Sequence, residues 1–253
     1  MNRTRVIPVL LLRNKGLVKT VRFKSPRYVG DPINSIRIFN EKEVDELVFL
    51  DISATPERRG PDFDMLEAIA GEAFMPMAYG GGITTMEQIR RIFSLGFEKV
   101  VINSAAYDNP DLVREAVAVY GAQSVVGCID VKRGYFGGYN LYTHSGRTRR
   151  KIGLLEHIGA LLEMGIGELL VNTIHRDGTQ KGYDIALLKT VTERTTVPVI
   201  ACGGAGGIDD FVAAVHEGGA SAVAAGSLFV FVGPHRAVLI NYPDRRMLES
   251  RLP

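Results

Sequence analysis

Cysteine is scarce in this chain, with Cys128 and Cys202 making up the whole complement. Far apart and without metal-ligand spacing, they exclude a disulfide framework and point to a reducing compartment. Both lie in apolar runs and read as core thiols rather than nucleophiles. An excess of charge of one sign is also missing. The net charge is only +2, which gives no ground for nucleic-acid or polyanion binding. Any phosphate on a small ligand has to be met locally. Long apolar runs are absent too. The opening "MNRTRVIPVLLLRNK" is too short in its apolar part for a signal peptide, and no small-residue cleavage site follows. The run "SAVAAGSLFVFVG" (221–233) is too short and too glycine-containing to span a bilayer. No stretch has the spacing of a metal site, and no metal or other cofactor is expected. Together these absences predict a soluble, cytoplasmic protein.

What is present is an ordinary globular composition, 46% hydrophobic and 23% charged over 253 residues, enough for a sizeable core. Short runs rich in β-formers alternate with longer helical patterns: "RVIPVLLL", "ELVFLDIS", "FMPMAYG", "EKVVINS", "SVVGCID", "GELLVNT", "VPVIACGG" and "SAVAAGSL". Each run is largely apolar rather than alternating, as expected of strands covered on both faces. Between them lie amphipathic segments such as "TTMEQIRRIFSLGF". There, Thr84 and Glu87 form the expected capping box, with Met86, Ile89 and Phe93 on one face. Eightfold strand–helix alternation at this length predicts a (β/α)8 barrel occupying residues 1–253 as one domain. A doubly wound open sheet is the alternative, but it leaves an internal repeat unexplained. "FMPMAYGGGITT" followed by "KVVINSAA" echoes "TVPVIACGGAGG" followed by "AVAAGSLF", and "VFLDISAT" echoes "LLVNTIHRDGT". A period of half the chain suits a barrel of two duplicated half-barrels.

"YGGGI" (79–83) and "CGGAG" (202–206) fall at strand ends just before helices. Glycines there let backbone N–H groups close on an anion beside a helix N-terminus. Gly81 and Gly82 are followed one βα unit later by Asn103 and Ser104, and Gly203 and Gly204 by Gly226 and Ser227. Glycines also make tight turns, but two pairs in repeat register favour two phosphate sites and a ligand phosphorylated at both ends. The loop "HRDGTQKGYD" (175–184) carries Asp177, Gly178 and Thr179 at the same barrel face. An Asp-Gly turn and a functional loop are both open there.

The motifs "DELVFLDISA", "GGGI", "VINSAA", "CIDVKR", "RDGTQKGYD" and "GGAGG" resemble the cyclase (synthase) subunit of imidazole glycerol phosphate synthase. The likeness runs in order to about Val232. A more distant likeness is to the phosphoribosyl-formimino isomerase of the same pathway. The resemblance implies a glutaminase partner at the N-terminal face of the barrel, whose ammonia crosses the barrel to a bisphosphorylated ribulosyl substrate. It also implies two aspartates, at the ends of strands one and five, as general acid and base. Asp130 stands at the second of these positions. At the first stands Leu11, followed by "RNKG". Alternation along "RVIPVLLLRN" puts Leu11 on the same face as Arg5, and Leu10 and Leu12 on the other. Lys19 matches a loop lysine near the substrate, and Asp177 takes the place of a further site carboxylate. His175 replaces a residue next to "RDGT", and His144 lies in another loop. For both, substrate contact and plain solvent exposure are open. At the opposite end, Arg5, Glu46, Lys99 and Glu168 match a charged ring that gates ammonia, against the plainer reading of a structural ion-pair layer.

The tail "VGPHRAVLINYPDRRMLESRLP" puts a Gly-Pro turn and a Tyr-Pro break where a long last helix is expected. It resembles tails of polysaccharide-pathway relatives. Three functions stay open. The first is a synthase that amidates a diphosphate-bearing sugar nucleotide in surface-polysaccharide synthesis. The second is an ordinary histidine-pathway cyclase that tolerates Leu11. The third is a non-catalytic activator of the glutaminase.

Overall fold

The computed structural model describes residues 3–135 and 137–253. Eight parallel strands close on themselves: β1 (Arg5–Arg13), β2 (Leu47–Asp51), β3 (Met77–Gly80), β4 (Lys99–Ile102), β5 (Val125–Arg133), β6 (Glu168–Thr173), β7 (Val199–Cys202) and β8 (Ala222–Ala225). Each pairs with its neighbour in sequence, and β8 returns to β1 with Arg5 opposite Ala222 and Pro8 opposite Ala225. The expected (β/α)8 barrel is therefore the fold. Among the described residues no helix is long and apolar enough to cross a membrane.

The period-two pattern divides each strand between two cores. Ile7, Val9, Val48, Val101, Leu170 and Ile200 fill the barrel interior, with Leu11 and Leu50 packed against them. Val6, Leu10 and Leu12 face outward and join the buried sides of the helices. The helices are α1 (Pro32–Glu41), α2 (Phe63–Glu72), α3 (Met86–Ser94), α4 (Pro110–Tyr120), α5 (Leu154–Glu163), α6 (Ile185–Thr192), α7 (Ile208–His216) and α8 (Arg245–Arg251). Phe39, Ile69 and Ile89 are wholly buried in this layer, each worth about 1.5–3 kcal/mol by removal from water.

Several local details depart from the sequence expectations. The cap of α3 is Thr85 with Gln88, not Thr84 with Glu87. The Gln88 side chain accepts the Thr84 amide at 2.7 Å, which leaves Thr84 outside the helix and moves its start one residue on. Lys19 lies in a strand rather than a loop. β1 runs on to Arg13, turns through Asn14 and Lys15 at φ +50° and +61°, and returns as an antiparallel hairpin, Gly16–Val21 and Lys24–Gly30. Two consecutive left-handed residues are what a two-residue hairpin turn requires. β5 carries a matching extension, Tyr139–Thr143 and Thr148–Arg149. In the tail, a Phe231–Val232/Ala237–Val238 hairpin turns at the Gly-Pro pair. The seven-residue α8 then follows the Tyr-Pro break, so the last helix is shortened rather than lost.

Candidate active site

The C-terminal ends of the strands surround a cavity of about 590 Å³. Its lining includes Leu11, Lys19, Gly81, Gly82, Asn103, Ser104, Asp130, Asp177, Gly178, Gly203, Gly204, Gly226 and Ser227, so the residues proposed at this face from sequence meet in one place. β1 and β5 are four strands apart in a ring of eight. Leu11 and Asp130 therefore stand on opposite walls.

Asp130 is the most perturbed carboxyl of the site. Burial pushes it up to about 7, the nearby Asp177 adds to the rise, and hydrogen bonds from Asn172 and Asn103 oppose it. Asn103 Nδ2 donates to Oδ2 at 2.8 Å, and Asn172 Nδ2 to Oδ1 at 3.2 Å. The Asn103 Oδ1 is buried without a partner. A flip of that amide would let Oδ1 accept a proton from a neutral Asp130, so the pocket has a partner for either protonation state. A buried carboxyl poised near neutrality in the cavity wall suits general acid–base work.

Lys19 is fully enclosed at the β1 end of the same cavity. Its ammonium donates to Val9 O of β1. Burial pulls it down to about 8, against the charge of Asp177. Asp177 itself ties the β6 loop to the first hairpin: its Oδ2 accepts from Thr20 Oγ1 at 2.8 Å and from the Phe23 amide at 3.1 Å. Burial raises its carboxyl, while those hydrogen bonds and the charges of Lys19 and Arg236 pull the other way. Beside Leu11, by contrast, stand Leu50 on β2 and Val18 on the hairpin. No described carboxylate takes over its position.

The two glycine turns are constrained by close approach. Gly81 has φ +121° and a Cβ there would strike Asp51 O; Gly204 has φ +124° and a Cβ would strike Gly182 O. Only glycine fits such positions without strain. Asn103 leads into the short Ser104–Asp108 helix, and Gly226 into the Ser227–Phe229 turn. In both halves, the residues at the start of a turn thus line the cavity.

Several lining residues were not singled out from the sequence. Arg59 bonds Asp51 (Nη1 to Oδ2, 2.9 Å) and Ser53 (Nη2 to Oγ, 2.6 Å) beside the first glycine turn. Asp51 ends β2 within the repeated "VFLDISAT", and that repeat was the signal that could have found it. Asn172 ends β6 at the matching place. His144 lines the cavity, and its amide donates to Ser104 Oγ at 3.2 Å. His175 stands apart: Nε2 lies 3.2 Å from Asp184, and Nδ1 accepts the Arg133 amide. Its partners are structural, and it is not part of the cavity wall.

At the barrel floor Arg5 meets Glu46 and Glu168, each at 2.5 Å, and Lys99 meets the same carboxylates at 3.1 and 3.0 Å. The four side chains form a closed ring of alternating charge. Burial works against the Arg5 charge, but Glu168 and Glu46 outweigh it and raise its pKa. Above the ring the interior is apolar up to the level of Asp130 and Asn172. Cys128 and Cys202 belong to that apolar layer, and burial holds the Cys202 thiol up to about 12. Both are inert at neutral pH. No group of His, Cys, Asp and Glu among the described residues has the geometry to hold a metal ion.

A family model described as histidine biosynthesis protein matches residues 5–233. A Pseudomonas aeruginosa protein, provisionally named imidazole glycerol phosphate synthase subunit hisF2, is 54% identical over 249 residues, 98% of this chain and 99% of its own. A Vibrio vulnificus protein, provisionally named subunit hisF3, is 46% identical over 96% of this chain and 94% of its own. A Leptospira interrogans protein, provisionally named subunit HisF, is 45% identical over 99% of each chain.

Proposed function

This chain belongs to the histidine biosynthesis protein family, as a divergent relative of imidazole glycerol phosphate synthase cyclase subunits, and from that premise we propose an ammonia-using synthase with altered chemistry. Ammonia made by a glutaminase docked on the N-terminal face enters past Arg5, Glu46, Lys99 and Glu168. It crosses the apolar interior and meets a doubly phosphorylated substrate held by the two glycine turns. The substrate class is a sugar nucleotide, whose diphosphate supplies the anionic groups and whose amidation serves surface-polysaccharide synthesis.

The observation that carries this reading is Leu11. It lines the cavity opposite Asp130, and a leucine neither gives nor takes a proton. Ring closure by an acid–base pair would lose about 10²–10⁴-fold without one member. The paired floor ring and the two strained glycine turns support keeping the route and the anion sites in this reading while one proton-transfer group is gone. The test is turnover of the bisphosphorylated ribulosyl substrate with ammonium salt, using the unaltered chain and Leu11→Asp side by side. The expected result is little imidazole product from the former and a gain of at least about tenfold from the latter. Robust product from the unaltered chain refutes the proposal.

One observation favours the ordinary cyclase reading. Lys19 titrates near 8 and its ammonium sits on Val9 O, two residues from Leu11 on the same strand. On that reading Lys19→Met abolishes whatever imidazole product the unaltered chain makes. Loss of all ammonia-dependent product in Asp130→Asn excludes a non-catalytic activator.

A further inference from the structure

The tail hairpin Phe231–Val232/Ala237–Val238 carries Arg236 at its tip, against the loop that follows β6. Arg236 Nη1 donates to Gly178 O at 3.1 Å. Gly178 lines the cavity, and Arg236 stands one residue further out. The guanidinium also lies over the Phe231 ring, 4.5 Å from its centroid, with Arg27 of the first hairpin on the same ring at 5.6 Å. Phe231 thus holds two guanidinium groups beside the loop that carries Gly178. The loop that Arg236 touches packs directly on the glycine turn: Gly182 donates to Gly204 O at 2.9 Å, and Gly206 lies against the Gln180 backbone. The family model matches residues 5–233, so this cation lies just past that match.

A guanidinium has five N–H donors in a fixed fork suited to phosphoryl oxygens. Among the described residues Arg236 commits one hydrogen bond, to Gly178, and forms no ion pair. Its remaining donors are available to a second phosphoryl group bonded to one held in the glycine turn, which the same loop joins through Gly182 and Gly204.

We propose that Arg236 is a specificity-determining residue that binds the outer phosphoryl group of a diphosphate ester whose inner phosphoryl group occupies the Gly203–Gly204 turn. This deepens the sugar-nucleotide reading and rests on the second glycine turn being an anion site. It explains how a barrel with a diverged tail could prefer a diphosphate to the terminal phosphate of a ribulosyl compound. The ester group beyond the outer phosphoryl would leave the cavity between the tail hairpin and the first hairpin.

The experiment is calorimetric titration of the full chain with inorganic phosphate and with pyrophosphate, at fixed ionic strength. The variants are Arg236→Gln, Arg236→Lys and Gly204→Ala. The expected result is pyrophosphate binding at least about tenfold tighter than phosphate in the unaltered chain. Arg236→Gln removes that preference and leaves phosphate affinity within about twofold, while Arg236→Lys keeps part of it. Gly204→Ala weakens both ligands. Unchanged pyrophosphate affinity in Arg236→Gln overturns the inference. So does an equal loss of both ligands, with or without a fall in thermal stability, because that marks Arg236 as a mere pin on the Gly178 loop. If the unaltered chain binds neither anion, the anion-site reading under the proposed function fails first and the inference falls with it. Phosphate binding without an Arg236 effect removes the inference alone.

Discussion

Asp130→Asn should make the protein more stable, by an amount that grows with pH. Asp130 is buried on β5, and burial carries its carboxyl from the ordinary 3.8 to about 7. Below pH 4 both folded and unfolded chains hold the proton, and the group contributes nothing. Between about 4 and 7 the folded chain keeps a proton that the unfolded chain has lost, so stability falls as pH rises. Above 7 the whole deficit is present, about 4 kcal/mol at roughly 1.4 kcal/mol per pKa unit. At pH 5 the deficit is already about 1–2 kcal/mol by the same linkage. The asparagine has no charge to bury. After a flip, Asn103 Oδ1 can accept from the new amide, but its own Nδ2 then takes the unpartnered place, which offsets about 1–3 kcal/mol of the gain at every pH and leaves the pH dependence unchanged. Urea unfolding of both proteins at pH 5 and pH 8 should show the variant's advantage widening by roughly 2–3 kcal/mol. In melting temperature that is about 5–10 °C for a chain of this size. A difference between the two proteins that stays constant across this range would refute the account. It would mean that Asp130 ionises in the fold about as easily as in water. The same substitution removes the proposed proton-transfer group, so stability and activity are expected to move in opposite directions.

Lys19→Met should behave with the opposite pH sense. The folded ammonium is pulled down to about 8, so the unaltered chain is penalised below that pH and recovers as pH rises towards 10; the variant's advantage at pH 7, about 1–3 kcal/mol after the lost bond to Val9 O, should fade by pH 10 in the same urea assay. Glu46→Gln leaves Arg5 and Lys99 sharing Glu168 alone. With the Glu46 side chain 4% exposed but Arg5 28%, the cost is about 2–4 kcal/mol in urea unfolding, below the full penalty of a deeply buried pair. Replacing all four ring residues with apolar side chains should cost less than that single change. Gly204→Ala at φ +124° should lower stability by about 1–3 kcal/mol, read from thermal melts.

The barrel was legible because its strands are apolar on both faces and its turns repeat. Eight such runs cannot be hidden by local propensity, and each was found in place. The floor ring was legible through the family resemblance, and alternation agreed with it for Arg5, Lys99 and Glu168, which begin their strands, while Glu46 immediately precedes one. The hairpins after β1 and β5 were not. Their strands are short or charged, and "RNKG" carries no Asn-Gly or Asp-Gly pair to announce a turn. Without the first hairpin Lys19 could be matched but not placed. Its burial against Val9 O depends on a reversal of chain direction that no local pattern encodes. Asp51 and Arg59 were missed because an aspartate at a strand end and an arginine in a loop are common, and their bond joins residues eight apart on a curved loop.

Leu11 shows why the position of a residue can carry more functional weight than its type. A leucine is at home in an apolar strand, and no packing argument marks this one as unusual. Its meaning comes from parity: Arg5, Ile7, Val9 and Leu11 form one inward row that passes from the charged floor to the cavity. The same row therefore carries a paired charge at the floor and a leucine at the cavity. Across the cavity Asp130 stays protonatable near neutrality, held by two asparagines. Asp130 facing a leucine, with Lys19 as the other titrating group at the β1 end, suits a reaction with one proton transfer at Asp130, such as attack of ammonia on an activated carbonyl. Ring closure that needs opposed acid and base cannot be served in this way. If Leu11→Asp restores the ribulosyl reaction without disturbing the fold, the wall opposite Asp130 is what sets the chemistry.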